Sequence, residues 1–179
     1  MAPLSYGAPQ RRAAEAWPDG PNAGAERTIV MDVGDVVDDF ELPDETGTPR
    51  KLSDLLADGP VVLFFYPAAM TPGCTKESCH FRDLASEFAA AGGQRIGISR
   101  DPVDKQQQFS DKHGFDYPLL SDADGTVSEM MGVARKKTAK RVTFVIDQNR
   151  RVVEVIKSEI RMNVHADRAL DALKQLQQH

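Results

Sequence analysis

The sequence predicts an α/β fold with a central mixed β-sheet flanked by helices, and three observations predict it. The first is "VVLFFY" (61–66), a near-continuous apolar run between Pro60 and Pro67, as expected of a strand buried on both faces. The second is that such strands alternate with segments whose apolar residues recur at three- and four-residue spacing, the pattern of helices laid on a sheet. The third is a pair of strands near the end of the chain, "RVTFVID" and "RVVEVI", joined by the turn "QNR". Their hairpin makes the sheet mixed rather than wholly parallel.

The elements follow in order. Residues 1–30 are rich in Pro, Ala and Gly without sustained periodicity, so a flexible extension is expected there; it cannot bury enough apolar surface to offset the entropy of ordering. Its Trp17 is read as a mobile aromatic. The domain is expected over 31–179. "DVVDDFEL" (35–42) is a candidate strand and "PDETGTP" a turn. Ser53 is a candidate N-cap for the short helix "DLLAD". After 61–66, one helix is expected from about Cys74 to Ala91, with Phe81, Leu84, Ala85 and Phe88 as its apolar stripe and Gly92-Gly93 as its stop. "QRIGIS" is the next strand. Asp101 as N-cap and Pro102 in the first turn open a helix that Gly114 closes. A short strand in "YPLLSDADG", a short helix in "TVSEMMG", the hairpin, and a last helix with Leu170, Leu173 and Leu176 on one side complete the series.

With 179 residues, 41% hydrophobic and 27% charged, the chain can bury a sizeable core. Its net charge of −5 argues against nucleic-acid binding. No apolar run approaches the ~20 residues of a membrane span. Pro3, Pro9, Arg11, Arg12 and Glu15 interrupt the N-terminal stretch, so no secretory signal is expected and the protein is read as cytoplasmic. In that setting the only two cysteines, Cys74 and Cys79, read as reduced or redox-active thiols rather than as a structural disulfide.

Cys74 follows Pro72-Gly73 at a helix start. First-turn N–H groups lack intrahelical partners and the helix dipole is positive there, so both favour a thiolate. Cys79 lies five residues on. Five helical steps put the two Cα atoms about 8–9 Å apart, whereas a disulfide needs about 4.4–6.8 Å. The sulfurs can join only after the first turn or more unwinds, which suits a switching cycle. A thioredoxin-type C-x-x-C is absent. Two inert buried thiols remain the plain alternative. A metal set of Cys74, Cys79, His80 and His113 fails on spacing.

"YPAAMTPGCTKESC" (66–79) resembles the active-site segment of the peroxiredoxins, whose signature P-x-x-x-T-x-x-C is matched by Pro67, Thr71 and Cys74. The second cysteine, with "FRD" behind it, is similar to the peroxiredoxin Q branch, also called bacterioferritin comigratory protein. The resemblance covers about residues 33–176. It implies a thioredoxin-like fold, in agreement with the element order, and a peroxidase acting on hydrogen peroxide and organic hydroperoxides without cofactor or metal. By the resemblance Cys74 is the peroxidatic thiolate, Thr71 aligns the peroxide, and Pro67 shields the pocket. Arg141, heading "RVTFVID", stabilises thiolate and oxyanion. Cys79 is the resolving thiol, and thioredoxin or a similar dithiol reduces the resulting disulfide. The branch's habit implies a monomer, with a weak homodimer as the alternative.

Each partner also has a plainer reading: Thr71 as a turn cap, Pro67 as a strand end, Arg141 as one charge in a solvated basic loop with Lys136, Lys137 and Lys140. Glu77, taken to lie in the first helical turn, suits the dipole and is placed to orient groups near Arg141, with no catalytic role assigned. The segment "GVARKKTAKRVTF" is shorter than relatives commonly have, and "AAM" (68–70) replaces a loop that often carries charge. The four histidines are scattered. Two other functions stay open: a disulfide oxidoreductase of the same fold, and a peroxide-sensing redox switch.

Overall fold

The computed structural model describes residues 29–178, so the expectations for the 1–30 extension and for Trp17 fall outside the described residues apart from its last two positions. In chain order the elements are β1 (Glu41–Pro43), β2 (Pro49–Lys51), α1 (Leu52–Leu56), β3 (Val61–Phe65), α2 (Pro72–Asp83), α3 (Ala85–Ala90), β4 (Gln94–Ser99), α4 (Val103–His113), β5 (Leu119–Ser121), α5 (Thr126–Met130), β6 (Val142–Ile146), β7 (Val152–Lys157) and α6 (Asn163–Gln177). β1 and β2 form a small antiparallel hairpin. The main sheet runs β5-β4-β3-β6-β7, with β3, β4 and β5 parallel and β6 antiparallel to both β3 and β7.

β3 lies at the centre, and all five of its residues are buried. Alternation sends Leu63 and Phe65 to one face, against Ile98, Phe144 and α1, and Val62 and Phe64 to the other, against α2, α3, α4 and α6. On that second face Phe64 stacks on Phe81 of α2 with ring centroids 4.1 Å apart and 8° between planes. Phe81 therefore anchors the C-terminal half of α2 to the sheet.

Four local expectations need correction. Residues 35–40 are not a strand: Val36 makes a single bridge to Arg151, and Val37 donates to the Arg150 carbonyl, so the segment only touches the start of β7. Ser53 does not cap α1. The capping acceptor is the Asp39 carboxylate, 14 residues away, which takes the Ser53 N–H at 2.9 Å. That bond and others lower the Asp39 carboxyl against the opposing effect of desolvation. The helix expected over 74–91 breaks at Leu84 (φ −94°, ψ 21°) into α2 and α3. The Arg95 guanidinium donates to the Phe81 carbonyl at 2.8 Å beside the break, offering that carbonyl an acceptor role outside the ladder. Finally, α4 carries no side-chain cap and its N-cap position is Pro102, so Asp101 serves another purpose. Gly114 does close α4, in the left-handed region at φ 62°.

Candidate active site

The site begins where β3 ends. Between Tyr66 and α2 the chain makes a tight turn through Pro67, Ala68, Ala69 and Met70, with Met70 in the left-handed region at φ 69°. Asp101 holds this turn: its Oδ2 accepts the Ala69 N–H at 2.7 Å and the Ser99 hydroxyl at 2.7 Å. Behind Ser99, Gln106 donates to Ser99 Oγ and to the Leu120 carbonyl, both at 2.9 Å, and accepts the Tyr66 hydroxyl at 2.5 Å. Burial keeps the Tyr66 phenol far above its ordinary range, so it remains a donor. The turn is thus fixed by the ends of β3 and β4 and by α4.

Thr71 is extended (φ −83°, ψ 152°) at the N-cap of α2, and Pro72 follows at the first helical position, where its missing N–H costs nothing. The Thr71 side chain does not cap the helix; its hydroxyl donates to the Ala68 carbonyl at 2.8 Å. The N–H groups of Gly73 and Cys74 are therefore left without a side-chain cap at the positive end of the helix. Pro67 is half-buried and Thr71 exposed at the mouth of this turn.

Cys74 is 1% exposed. Arg141 reaches it from the residue before β6: Nη2 lies 3.3 Å from Cys74 Sγ and Nη1 3.3 Å from Glu77 Oε2. The Arg141 side chain is buried rather than part of a solvated loop, and against desolvation its contacts with Glu77 and Cys74 raise the guanidinium further. Glu77 is the sixth residue of α2, in its second turn rather than its first, and is fully buried. Burial outweighs the attraction of Arg141 and pushes its carboxyl up to about 8. At neutral pH Glu77 therefore carries a proton, and its contact with Arg141 is a charge-assisted hydrogen bond rather than a full ion pair.

His165 of α6 stands behind this pair, with Nε2 3.7 Å from Glu77 Oε2. Nε2 lies 2.8 Å from the Ser158 carbonyl, which can only accept, so Nε2 bears the hydrogen; Nδ1 accepts from the Thr143 hydroxyl at 2.8 Å. Burial lowers His165, which stays neutral. A cleft of about 310 Å³ on Arg141 is lined by Val30, Lys140, Val142, Lys157, Ser158 and Glu159, without Cys74. The Cys74 sulfur lies outside it.

Cys79 sits on the same helix, half-buried and unbridged; both cysteines are free thiols. Burial raises the Cys79 thiol, with Arg82 opposing and Asp83 adding, so Cys79 is held as a protonated thiol. The two sulfurs are thus chemically unlike: Cys74 takes a guanidinium hydrogen bond from Arg141, whereas at Cys79 the influence of Arg82 is outweighed by burial. Unwinding between them must release Glu77 from Arg141 and the Ser78 carbonyl from the Tyr117 hydroxyl, a bond of 2.6 Å.

The approach of Arg141 explains Gly73. A Cβ there would sit 3.3 Å from Arg141 Nη2 and 3.3 Å from Met162 Cε, closer than side chains normally settle. Gly73→Ala should push the guanidinium a few tenths of an ångström off the sulfur. Since a 1 Å misplacement can cost ~10²-fold, the expected loss is about 3- to 10-fold in the rate of thiol oxidation by peroxide, measured by stopped-flow.

A model of the AhpC/TSA family matches residues 33–155. The chain belongs to this family. A Mycobacterium tuberculosis relative named as a peroxiredoxin is 63% identical over 149 residues, covering 80% of this chain and 97% of its own. Peroxiredoxin Bcp of Escherichia coli is 35% identical over 153 residues, 81% of this chain and 97% of that one. Among solved structures, peroxidoxin BcpB of Mycobacterium tuberculosis superposes with a TM-score of 0.80 at 62% identity, covering 82% of this chain and 98% of its own. A mutant PrxQ of Xylella fastidiosa gives 0.76 at 30% identity, again over 82% and 98%. This peroxiredoxin therefore falls in the Q branch, has the thioredoxin-like fold, and is a thiol-dependent peroxidase and oxidoreductase. Among the described residues no helix is long and apolar enough to cross a membrane.

Of the residues singled out from the sequence, the structure gathers Cys74 and Arg141 into contact, sets Thr71 and Pro67 on the turn in front of them, and holds Cys79 apart. Glu77, placed near Arg141 from the sequence, is its second partner, and the structure adds His165, Thr143 and Asp101 as supports. No local pattern signals these: His165 lies 88 positions beyond Glu77 in a run that reads as an ordinary helix start.

Proposed function

We propose that Cys74 is the peroxidatic residue of this peroxiredoxin, acting as a thiolate on hydrogen peroxide and organic hydroperoxides. The observation that carries this reading is Arg141 Nη2 at 3.3 Å from the buried sulfur at an uncapped helix N-terminus. The guanidinium and the free N–H groups of Gly73 and Cys74 stabilise negative charge on sulfur and on the oxygen that departs. Because the Thr71 hydroxyl gives its proton to Ala68, its oxygen is an acceptor, suited to the O–H of an incoming peroxide. Pro67 walls the mouth of the turn. Attack forms an S–O bond, breaks the O–O bond, and leaves Cys74 as a sulfenic acid.

Cys79 then resolves. With α2 unwound, its thiol condenses with the sulfenic acid, releasing water and forming the Cys74–Cys79 disulfide. A dithiol protein of the thioredoxin kind reduces that bond. The setting proposed is the cytoplasm, the working form a monomer, and residues 1–30 a flexible extension of the 31–179 domain.

Mixing the reduced protein with micromolar peroxide in a stopped-flow instrument tests the peroxidatic role; thiol content that stays unchanged over seconds contradicts it. Cys79→Ser is expected to keep the first oxidation within about twofold, since Cys79 does not touch the Arg141 cluster, and to block recycling through the intramolecular disulfide. Turnover of that variant with thioredoxin at the wild-type rate would remove Cys79 from its assigned role.

A further inference from the structure

Glu77 has no place in the reaction as described, yet it is buried at the heart of the site. Arg141 is a single cation facing two acids, with Nη2 on Cys74 and Nη1 on Glu77. Cys74 is 1% exposed and Glu77 fully buried, so water compensates neither. Glu77 Oε1 has no hydrogen-bond partner, nor has Arg141 Nε. The other groups facing Glu77 add no second positive charge: His165 on α6 is neutral and donates to the Ser158 carbonyl, and Glu159, after β7, is an acid. Two anions opposite one cation would bury a net negative charge and leave a bare carboxylate oxygen unsolvated. Two neutral acids would leave the guanidinium uncompensated. Both are costly in a dry site.

We infer that Cys74 and Glu77 share one proton, and that Glu77 stores it while the sulfur is a thiolate and releases it when peroxide consumes the thiolate. This rests on the peroxidatic reading of Cys74. In the reaction Cys74–S⁻ attacks HO–OR, sulfur is oxidised to S–OH, and RO⁻ leaves with the O–O electron pair. RO⁻ takes up one proton to become ROH. As the sulfur loses its charge, Arg141 needs a new anion, and Glu77 supplies it by giving up a proton. The two transfers cancel, so the site keeps one negative charge opposite Arg141 before and after the step. The burial that lifts the Glu77 carboxyl keeps the stored proton in place at neutral pH. Glu77 does not touch the reacting oxygen; it is a charge-balancing residue acting through Arg141.

The test is proton counting in weakly buffered stopped-flow with a pH indicator, using Cys79→Ser so that the reaction halts at the sulfenic acid. That variant should consume peroxide with no net proton uptake, whereas Cys79→Ser with Glu77→Gln should take up one proton per sulfenic acid formed. Uptake of one proton by Cys79→Ser alone, or of none by the double variant, overturns the inference while leaving the peroxidase reading intact. Failure of Cys74 to react at all would instead sink that reading. Should Glu77→Gln not fold, infrared difference spectra of the wild-type protein decide. A protonated carboxyl band lost on adding peroxide supports the store, and its absence from the reduced protein rules it out.

Discussion

Cys74→Ser is expected to abolish peroxide consumption. A serine hydroxyl stays protonated at neutral pH even beside Arg141 and at a helix N-terminus, because an unassisted alcohol needs a base to become a nucleophile. The site offers none: His165 is neutral but already engaged at both nitrogens, and Glu77 Oε2 is turned to Arg141 Nη1 rather than to residue 74. The second-order rate constant with hydrogen peroxide should fall by at least about four orders of magnitude, to the level of unassisted thiols elsewhere. Cys79 does not substitute, since burial holds it as a thiol and no cation in the cluster faces it. The fold should survive, because oxygen for sulfur at this position removes volume without adding charge. Stopped-flow oxidation with circular dichroism as a control checks both statements; residual rapid oxidation in the variant would move the reactive sulfur to Cys79.

Arg141→Lys is expected to slow the first oxidation by about 10²- to 10³-fold, the range seen when one charge-stabilising donor is lost from a reaction site. The guanidinium reaches two partners at once through diverging nitrogens, Nη2 to Cys74 and Nη1 to Glu77. A lysine ammonium is a single point on a flexible stem and cannot hold both geometries. The cost should fall on rate rather than on folding. Glu77 already holds a proton at neutral pH, so weakening its partner does not strand a buried carboxylate. Rate constants and thermal midpoints measured together separate the two. A variant oxidised at the wild-type rate would show that the helix N-terminus alone activates the sulfur.

Much of the frame was legible because the deciding physics was local. "VVLFFY" could only be a doubly buried strand, the terminal hairpin declared itself by its turn, and Pro72-Gly73-Cys74 marked a helix start. Local patterns failed where a distant partner decided the outcome. Asp39 took over from Ser53 at the start of α1 across 14 residues. Asp101, which locally looks like an N-cap, is drawn 32 residues away to the Ala69 N–H. The break at Leu84 coincides with Arg95 bonding the Phe81 carbonyl. The site shows the same division. Cys74 and Cys79 could be read from their spacing, but the Arg141 contact spans 67 residues and the approach of His165 to Glu77 spans 88. Even Thr71 sits where expected while its hydroxyl turns to Ala68 rather than to the helix.

The central claim is that two sulfurs held apart on one intact helix become bonded when the first is oxidised. Mass spectrometry of the whole protein after one equivalent of peroxide tests it most directly. The expected product is lighter by two hydrogens, with a peptide map joining Cys74 to Cys79. A stable product heavier by one oxygen on Cys74, with Cys79 still a free thiol, would contradict it.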